Sequence, residues 1–370
     1  MSKNVDLVSA VGNAACSLES PYVSAKEHLM RRVPLAVCAV GVSALLATAC
    51  SSGQQSGAGA RSAGPVTGNI TISFLQKQGD QQYFIDEAAG AQAAAKQLST
   101  PSSTVTVKVV NLGQDANKAV TETQSAVAQK VNGIAIVVPD QKIGPQVAST
   151  ADNAGVPFVV TDDSVKNDAG SDLPFVGFDG YDMGSKVGAE TAKRVAAKGW
   201  TAAGTGVIYS SKQDLSVCGD RVRGEKDQYT QHGGVGAAID VGTDNSVNGA
   251  QSVASGVITG HPEVKNWVVM GCNDENVSGV LQALANAKVP ASNIVGVGLG
   301  AYLACKSWQP GATPDGYVSA LYIDGHDVGG AAIKALVAKI RNGTPLPAKT
   351  YARTQIVDAG TVGSTSLKCT

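Results

Sequence analysis

Polar side chains that could hydrogen-bond a small neutral ligand occur at the ends of several apolar segments. Asp162 and Asp163 are adjacent carboxylates that can accept protons from hydroxyl groups. Lys77 and Arg221 are cations that can donate to ligand oxygens, and Asn273 can both donate and accept. These residue types together are suited to a polyhydroxylated ligand, which offers hydroxyl donors as well as oxygen acceptors.

The aromatic pair Tyr83 and Phe84 is informative because aromatic residues make up only 5% of the chain. An aromatic face can pack against the C–H surfaces of such a ligand. Each of these groups also has an ordinary structural interpretation. The carboxylate pair could cap a helix, Arg221 could be a surface charge, and the aromatic pair could be core packing. The case for a site therefore depends on whether these residues meet.

The order of apolar segments predicts how they would meet. Strand-like runs precede Asp179 as NITISFL, TVTVKVV, GIAIVVP, GVPFVVTDD and PFVGF, and follow it as TGVIYSS, GAAIDVG, NWVVMGC, NIVGVGLG and GYVSALY. Helix-length segments separate them, including 82–98, 116–130, 184–198 and 275–287. Runs that are apolar throughout indicate parallel strands covered on both faces. We therefore predict two doubly wound, Rossmann-like α/β domains of about five strands each.

Ligands of doubly wound sheets bind outside the carboxyl ends of the strands. The segment 77–84 follows the first strand, Asp162 and Asp163 the fourth, and Phe178 the fifth. In the second half, Arg221 and Asn273 each lie just beyond a strand. We expect these residues to converge between the two domains.

Other functions find weaker support. The segment 296–301 satisfies GxGxxA and could open a helix, but it follows the penultimate strand of the second half and not the first strand of a dinucleotide unit. No GxSxG elbow occurs, and neighbouring residues such as Asp162 and Asp163 should point opposite ways in an extended segment. Only four histidines occur, and no Cys/His spacing suggests zinc. We predict no catalysis, no cofactor and no metal.

Charge and composition exclude further classes. The 370 residues contain 29 Lys+Arg and 30 Asp+Glu, so the net charge of −1 offers no basic surplus for nucleic acid. Apolar residues make up 43% and the mean hydropathy is +0.02, which is typical of a globular protein with room for two cores. Disorder and a polytopic membrane protein are both excluded.

The first part of the chain is interpreted as an export signal. Two arginines, an apolar run and small residues lead to Cys50, so residues 30–49 resemble a lipoprotein signal peptide and Cys50 a lipidation site. Residues 50–66 are rich in Ser, Gly, Ala and Gln, as expected of a flexible tether. We interpret residues 1–29 as a mis-assigned extension upstream of the true start.

Several motifs resemble one family. FLQKQGDQQYF, GIAIVVPDQKIG, VTDD, HPEVKNWVVMGCND and IVGVGLG are similar to segments of bacterial sugar-binding proteins of the type I periplasmic-binding fold, the ribose- and arabinose-binding family. The resemblance covers residues 69–350. It implies two domains that close over a sugar about a three-segment hinge and deliver it to an ATP-driven importer. The implied domains are 67–178 plus 325–352 and 179–324 plus 353–370.

The resemblance also implies residue roles. Lys77, Asp162, Asp163, Arg221 and Asn273 would hydrogen-bond the sugar, while Tyr83, Phe84 and Phe178 would contact it through their rings. Gln81 stands where arabinose-binding members have a glutamate that contacts the sugar, and Gly300 where they have an asparagine. Val217 and Cys272 replace a threonine and a methionine. A pentose, a hexose or a sugar alcohol therefore all remain open as ligands.

The implied strand order makes the loops of Cys218 and Cys272 neighbours, which favours that disulfide and a second one between Cys305 and Cys369. The membrane partner would be an ABC permease, and a monomer is expected. One alternative is a sugar receptor that presents its ligand to a membrane sensor kinase. The other is an effector domain of a sugar-responsive regulator, but a leader and tether stand where such a regulator has its helix-turn-helix.

Overall fold

The computed structural model describes residues 68–369. The predicted extension 1–29, the signal peptide 30–49, the lipidated Cys50 and the tether 50–66 all lie outside the described residues. Among residues 68–369, no helix is both long and apolar enough to cross a bilayer.

The first lobe is built on a parallel sheet of six strands within the described residues. Its strands are β1 (Ile70–Gln76), β2 (Val105–Asn111), β3 (Gly133–Ile136), β4 (Phe158–Asp162), β5 (Phe175–Gly177) and β11 (Lys349–Tyr351). Their order across the sheet is β11-β5-β4-β3-β1-β2, and every neighbouring pair is parallel. Strands β1, β3, β4 and β5 are buried almost throughout, as their continuous apolar runs predict.

The second lobe repeats this plan. Its strands are β6 (Thr205–Ser211), β7 (Ala237–Gly242), β8 (Asn266–Gly271), β9 (Ile294–Gly300), β10 (Tyr317–Ile323) and β12 (Thr354–Val357), in the order β12-β10-β9-β8-β6-β7. All pairs are parallel except β12 with β10, which is antiparallel. The two sheets confirm the predicted pair of doubly wound α/β domains, and the short edge strands β11 and β12 add to the predicted strands.

Helices cover the sheets at intervals along the chain. They are α1 (Gln82–Leu98), α2 (Ala116–Ala128), α3 (Gly144–Asn153), α4 (Gly180–Lys198), α5 (Ser216–Gln231), α6 (Val247–Gly260), α7 (Asp274–Asn286) and α8 (Gly325–Asn342). Helix α4 begins four residues before the predicted 184 because the Asp179 carboxylate caps it, accepting from the Asp182 amide at 3.0 Å. Asp324 caps α8 in the same way, accepting from the Asp327 amide at 3.2 Å.

The chain crosses between the lobes three times. It passes from β5 into α4, which packs on α5 and β9, and from β10 into α8, which packs on α1 and β4. The third crossing lies between β11 and β12, where Ala352 and Arg353 alone separate a strand of the first sheet from a strand of the second. These crossings bring the carboxyl ends of the parallel strands of both sheets to one cleft.

The GxGxxA segment at 296–301 does not open an α-helix, which corrects the sequence interpretation. Gly300 and Ala301 both have positive φ, at 134° and 68°, and they turn the chain away from the helical direction. A short 3-10 helix at Ala304–Trp308 follows, and then β10. The segment therefore lacks the helix N-terminus that holds the pyrophosphate of a dinucleotide.

Candidate functional site

A cavity of about 60 Å³, lined largely by buried side chains, lies between the lobes at the carboxyl ends of their strands. Eight of the nine residues predicted to bind the ligand line it: Lys77, Gln81, Tyr83, Phe84, Asp162, Asp163, Arg221 and Asn273. The first six come from the first lobe and the last two from the second. The structure therefore brings together side chains from four separate strand ends.

Phe178 is the predicted residue that the structure places elsewhere. Its side chain is buried and does not line the cavity. Its ring centroid lies 6.2 Å from that of Tyr83, so Phe178 packs behind a cavity residue. Phe178 thus supports the wall of the cavity from behind, as part of a buried hydrophobic cluster with members in both lobes.

Asp162 and Asp163 both line the cavity, against the expectation that neighbouring residues point opposite ways. Asp162 ends β4 with a φ of 69°, a left-handed conformation that breaks the alternation of the strand. Neither residue caps a helix. Burial, followed by the neighbouring Asp163 charge, raises the pKa of Asp162 to about 7.

Arg221 joins the two lobes across the cavity. Its Nη2 donates to Asp163 Oδ1 at 2.7 Å, and its Nη1 donates to the Cys272 carbonyl oxygen at 3.0 Å. The side chains of Arg221 and Asp163 are 9% and 7% exposed, so this is a buried ion pair and not a surface charge. Burial lowers the pKa of Arg221, but Asp163 and Asp162 outweigh that effect and raise it.

The first helix supplies the aromatic wall. Tyr83 and Phe84 begin α1 and meet edge to face, with ring centroids 5.0 Å apart and an interplanar angle of 79°. Glu87 lies one turn further along α1 and is fully buried. Burial, followed by the charge of Asp162, raises the pKa of Glu87 well above its usual range.

Asn273 combines a structural role with its place in the cavity wall. Its Oδ1 caps α7 by accepting from the Asn276 amide at 3.0 Å. Its Nδ2 donates to the Asn245 carbonyl oxygen at 3.2 Å. Asn245 also lines the cavity, and its Nδ2 donates to Cys218 Sγ at 3.3 Å. The amide group of Asn273 is thereby held in one orientation.

Sequence reasoning missed several residues of the cleft. Gln114 and Asn245 line the cavity just beyond β2 and β7, so the strand-end rule could have found both. Tyr302 lines it two residues beyond β9, where the positive φ of Gly300 and Ala301 redirects the chain. Glu275 belongs to the first turn of α7 and had no signal in the sequence.

Gln81, Glu275 and Tyr302 make a second connection between the lobes. Gln81 Nε2 donates to Glu275 Oε1 at 2.5 Å and to the Tyr302 hydroxyl at 3.0 Å. The Tyr302 hydroxyl in turn donates to Glu275 Oε2 at 2.8 Å. Burial raises the pKa of Glu275 to about 7, although the hydrogen bonds from Gln81 and Tyr302 oppose the shift. We call these three residues the cleft triad.

Both predicted disulfides form. Cys218 bonds to Cys272 and Cys305 bonds to Cys369, which confirms the pairing that the resemblance implied. Cys218 and Cys272 themselves line the cavity. The second disulfide holds the C-terminal segment near the hinge, where Lys368 Nζ reaches Asp86 Oδ1 of α1 at 3.1 Å.

Acidic and sulfur side chains do not form a metal site here. Within residues 68–369, no group of three or more His, Cys, Asp or Glu side chains is placed to hold a metal ion. The carboxylate of Asp163 instead pairs with Arg221, and burial raises the pKa of Asp162.

Comparison with known proteins identifies the family. A family model described as a periplasmic binding protein domain matches residues 72–344. The chain therefore belongs to the periplasmic binding protein family. An "ABC transporter L-arabinose-binding periplasmic protein" of Azospirillum brasilense is 29% identical over 316 residues, which cover 83% of this chain and 90% of that protein.

Solved structures agree on the fold. The Caulobacter myo-inositol binding protein, bound to myo-inositol, matches with a TM-score of 0.68 and 18% identity over 80% of this chain and 95% of that chain. The periplasmic binding component of the arabinose ABC transporter from Shewanella sp. ANA-3 matches with a TM-score of 0.67 and 17% identity over 80% and 94%. The fold is that of a type I periplasmic binding protein.

Proposed function

We propose that the protein captures a monosaccharide or sugar alcohol between its lobes and delivers it to an ABC importer. The observation that carries this proposal is the convergence of carboxylates, cations, amides and an aromatic pair on one cavity between the lobes. Each of these groups has a use in binding a polyhydroxylated molecule. The named relative from Azospirillum brasilense is a sugar-binding component of an ABC transporter.

The charge of the cavity favours an uncharged ligand. Arg221 pairs with Asp163, and the raised pKa of Asp162 makes that carboxyl group partly neutral near pH 7. Lys77 contributes one further positive charge at the rim. Beyond the Arg221–Asp163 pair, Lys77 faces the partly ionised Asp162, so only a small net charge remains in the cavity. A phosphate, a carboxylate or an amine would need a larger opposite charge, whereas hydroxyl groups need only the donors and acceptors present.

Transport would depend on the movement of the lobes. Contacts such as Arg221 to Asp163 and Gln81 to Glu275 cross the cleft and form only when the lobes meet. A ligand that touches both lobes binds this closed arrangement more tightly than an open one and shifts the population toward it. The lobes that move are 67–178 plus 325–352 and 179–324 plus 353–370, and the importer recognises the closed form. No bond of the ligand is changed.

Export and anchoring complete the proposal. Cys50 would carry lipid after removal of residues 30–49, and residues 50–66 would tether the monomeric binding protein to the outer face of the membrane. Mass spectrometry of the membrane fraction tests this part, because a diacylated Cys50 at the mature N-terminus is expected, and Cys50→Ala should release the protein.

The test of binding is a thermal-shift screen against pentoses, hexoses and their alcohols, followed by calorimetry of each hit. A ligand at 100 times its dissociation constant stabilises the folded state by about 2.7 kcal/mol, which gives a clear rise in melting temperature. We expect at least one compound to bind saturably with a stoichiometry of one. The same compound should bind Arg221→Ala with a much higher dissociation constant. A folded protein that binds none of these compounds would overturn the proposed function.

A further inference from the structure

Tyr302 lies at the junction of three cavities in the cleft. Its side chain lines the ligand cavity of about 60 Å³, a cavity of about 320 Å³ toward the hinge, and a cavity of about 330 Å³ beside the exposed Asp80 and Lys306. None of the other described residues lines all three. The phenol ring is therefore part of the wall between the smallest cavity and each of the two larger ones, and we call it the partition. Tyr83 and Ile323 share the wall on the hinge side, and Gln78, Gln81, Gln114 and Asn245 share it on the other side.

The cleft triad fixes the outer end of this partition. The Tyr302 hydroxyl donates to Glu275 at 2.8 Å and accepts from Gln81 at 3.0 Å, so its hydrogen-bonding capacity is used on both sides of the cleft. Because Gln81 belongs to the first lobe and Glu275 to the second, the ring is held from both lobes when they meet. Its position in the closed cleft is thereby defined.

The backbone fixes the inner end. The amides of Leu303 and Ala304 donate to the buried Asp274 Oδ2 at 2.9 and 3.3 Å. Gly300 lies under the ring, and a Cβ at that position would collide with the ring carbons of Tyr302. The ring of Tyr302 thus occupies the space that a side chain at position 300 would need, so glycine at 300 is required for this position of the ring.

We propose, resting on the sugar-binding function proposed above, that Tyr302 is a specificity-determining residue that limits the size of the ligand. The ring restricts the site to a compact polyol or monosaccharide of about pentose size. Pockets for larger ligands measure roughly 300–1,000 Å³. The ligand cavity of about 60 Å³ could reach that range only by joining a neighbouring cavity, and among the described residues only Tyr302 borders both neighbours. Hexoses and disaccharides are disfavoured because they would have to displace a ring that is held at both ends.

The test compares dissociation constants measured by calorimetry for the wild type and Tyr302→Ala. The ligands form a graded series of glycerol, erythritol, arabinose, xylose, glucose, galactose and maltose. We expect the wild type to prefer the pentoses or shorter polyols. In Tyr302→Ala, the affinity for the best hexose or disaccharide relative to the best pentose should rise by about tenfold or more.

Two variants separate the partition from other effects. Tyr302→Phe keeps the ring and loses the hydroxyl, so it should keep the size preference of the wild type even if all affinities fall. Tyr322→Ala enlarges the cavity near the hinge but does not touch the ligand cavity, so its size preference should also be unchanged. If Tyr302→Ala fails to fold, Tyr302→Leu replaces it in the same comparison.

The outcomes are distinct. A folded Tyr302→Ala or Tyr302→Leu with the size preference of the wild type would overturn the role of Tyr302. A wild type that binds a hexose or maltose more tightly than every pentose and shorter polyol would also overturn it, and the proposed function would stand. If neither the wild type nor any folded variant binds a saccharide or polyol, the proposed function fails and this proposal fails with it.

Discussion

Arg221 of the second lobe donates to Asp163 of the first lobe at 2.7 Å, and both side chains are buried in the closed cleft. This ion pair gives the cleft a contact that depends on closure. Removal of one partner leaves the other charge buried without compensation, which typically costs about 3–5 kcal/mol, whereas removal of both costs less.

A double-mutant cycle should therefore show strong coupling between these residues. We expect Arg221→Ala to weaken ligand binding by at least about tenfold, because the closed state loses the pair and the ligand loses a charged donor. Asp163→Ala should weaken binding as well, and the double variant should lose less than the sum of the two. Calorimetry at fixed pH measures the ligand affinity of the two single variants and of the double variant. If the losses of binding free energy are additive, the two residues do not interact directly.

Gln81 and Glu275 allow a charge-swap test of the cleft triad. Gln81→Glu places a second carboxylate against Glu275 at the 2.5 Å contact, so ligand affinity should fall, and more so as pH rises above about 7, where Glu275 ionises. The double variant with Gln81→Glu and Glu275→Gln restores one amide donor and one carboxylate acceptor. Affinity measured between about pH 6 and 8 should recover in the double variant only.

Glu225 predicts how stability depends on pH. This residue of α5 is fully buried, and burial raises its pKa from 4.5 to about 8, against the attraction of Arg221 and Lys226. The folded state thus holds a proton that the unfolded state releases, so the free energy of unfolding falls as pH rises from 4.5 to about 8. The slope from this residue is of the order of 1.4 kcal/mol per pH unit.

Glu225→Gln replaces the titratable carboxyl group with an amide, so the free energy of unfolding should fall less as pH rises. Urea denaturation of the variant and the wild type at several pH values between about 5 and 9 gives the comparison. The exposed Asp168→Asn is the control, because it removes a surface carboxylate that has no ion-pair partner among the described residues. Parallel profiles for Glu225→Gln and the wild type would show that Glu225 does not titrate in this range.

The two disulfides should differ in their effect on binding. They join residues 54 and 64 positions apart, so loss of either should destabilise the fold by a similar amount, about 2–4 kcal/mol. Cys218 and Cys272 line the ligand cavity, however, whereas Cys305 and Cys369 hold the C-terminal segment. Paired serine variants should show comparable falls in melting temperature, but only the 218/272 variant should lose affinity beyond what its stability explains.

The strands and helices with strong local signals could be predicted from the sequence. Continuous apolar runs such as GIAIVVP and NWVVMGC became β3 and β8, and the predicted helix 82–98 coincides with α1. Strands β11 and β12 could not be predicted because they are only three and four residues long, too short to carry a periodic pattern. They form strands because their backbones pair with the edge strands β5 and β10 of the two sheets.

The candidate site was predictable to the extent that its residues follow strands directly. Lys77, Asp162 and Asn273 belong to that group. Tyr302 and Glu275 were missed because a backbone reversal with two positive φ values and a contact from the opposite lobe bring them to the cleft. Asp162 and Asp163 both face the cavity because Asp162 has a left-handed backbone conformation. The alternation of side chains along a regular strand predicts the opposite.

The three crossings of the chain also set the order in which the lobes can be completed during synthesis. Helix α8 packs on α1 and β4, and β11 closes the edge of the first sheet, yet both come after β10 of the second lobe. Folding of a nascent chain usually begins with its N-terminal domain. Here the N-terminal lobe cannot finish its core until residue 351 has emerged, so the nascent chain remains incompletely folded until nearly all of it has been made.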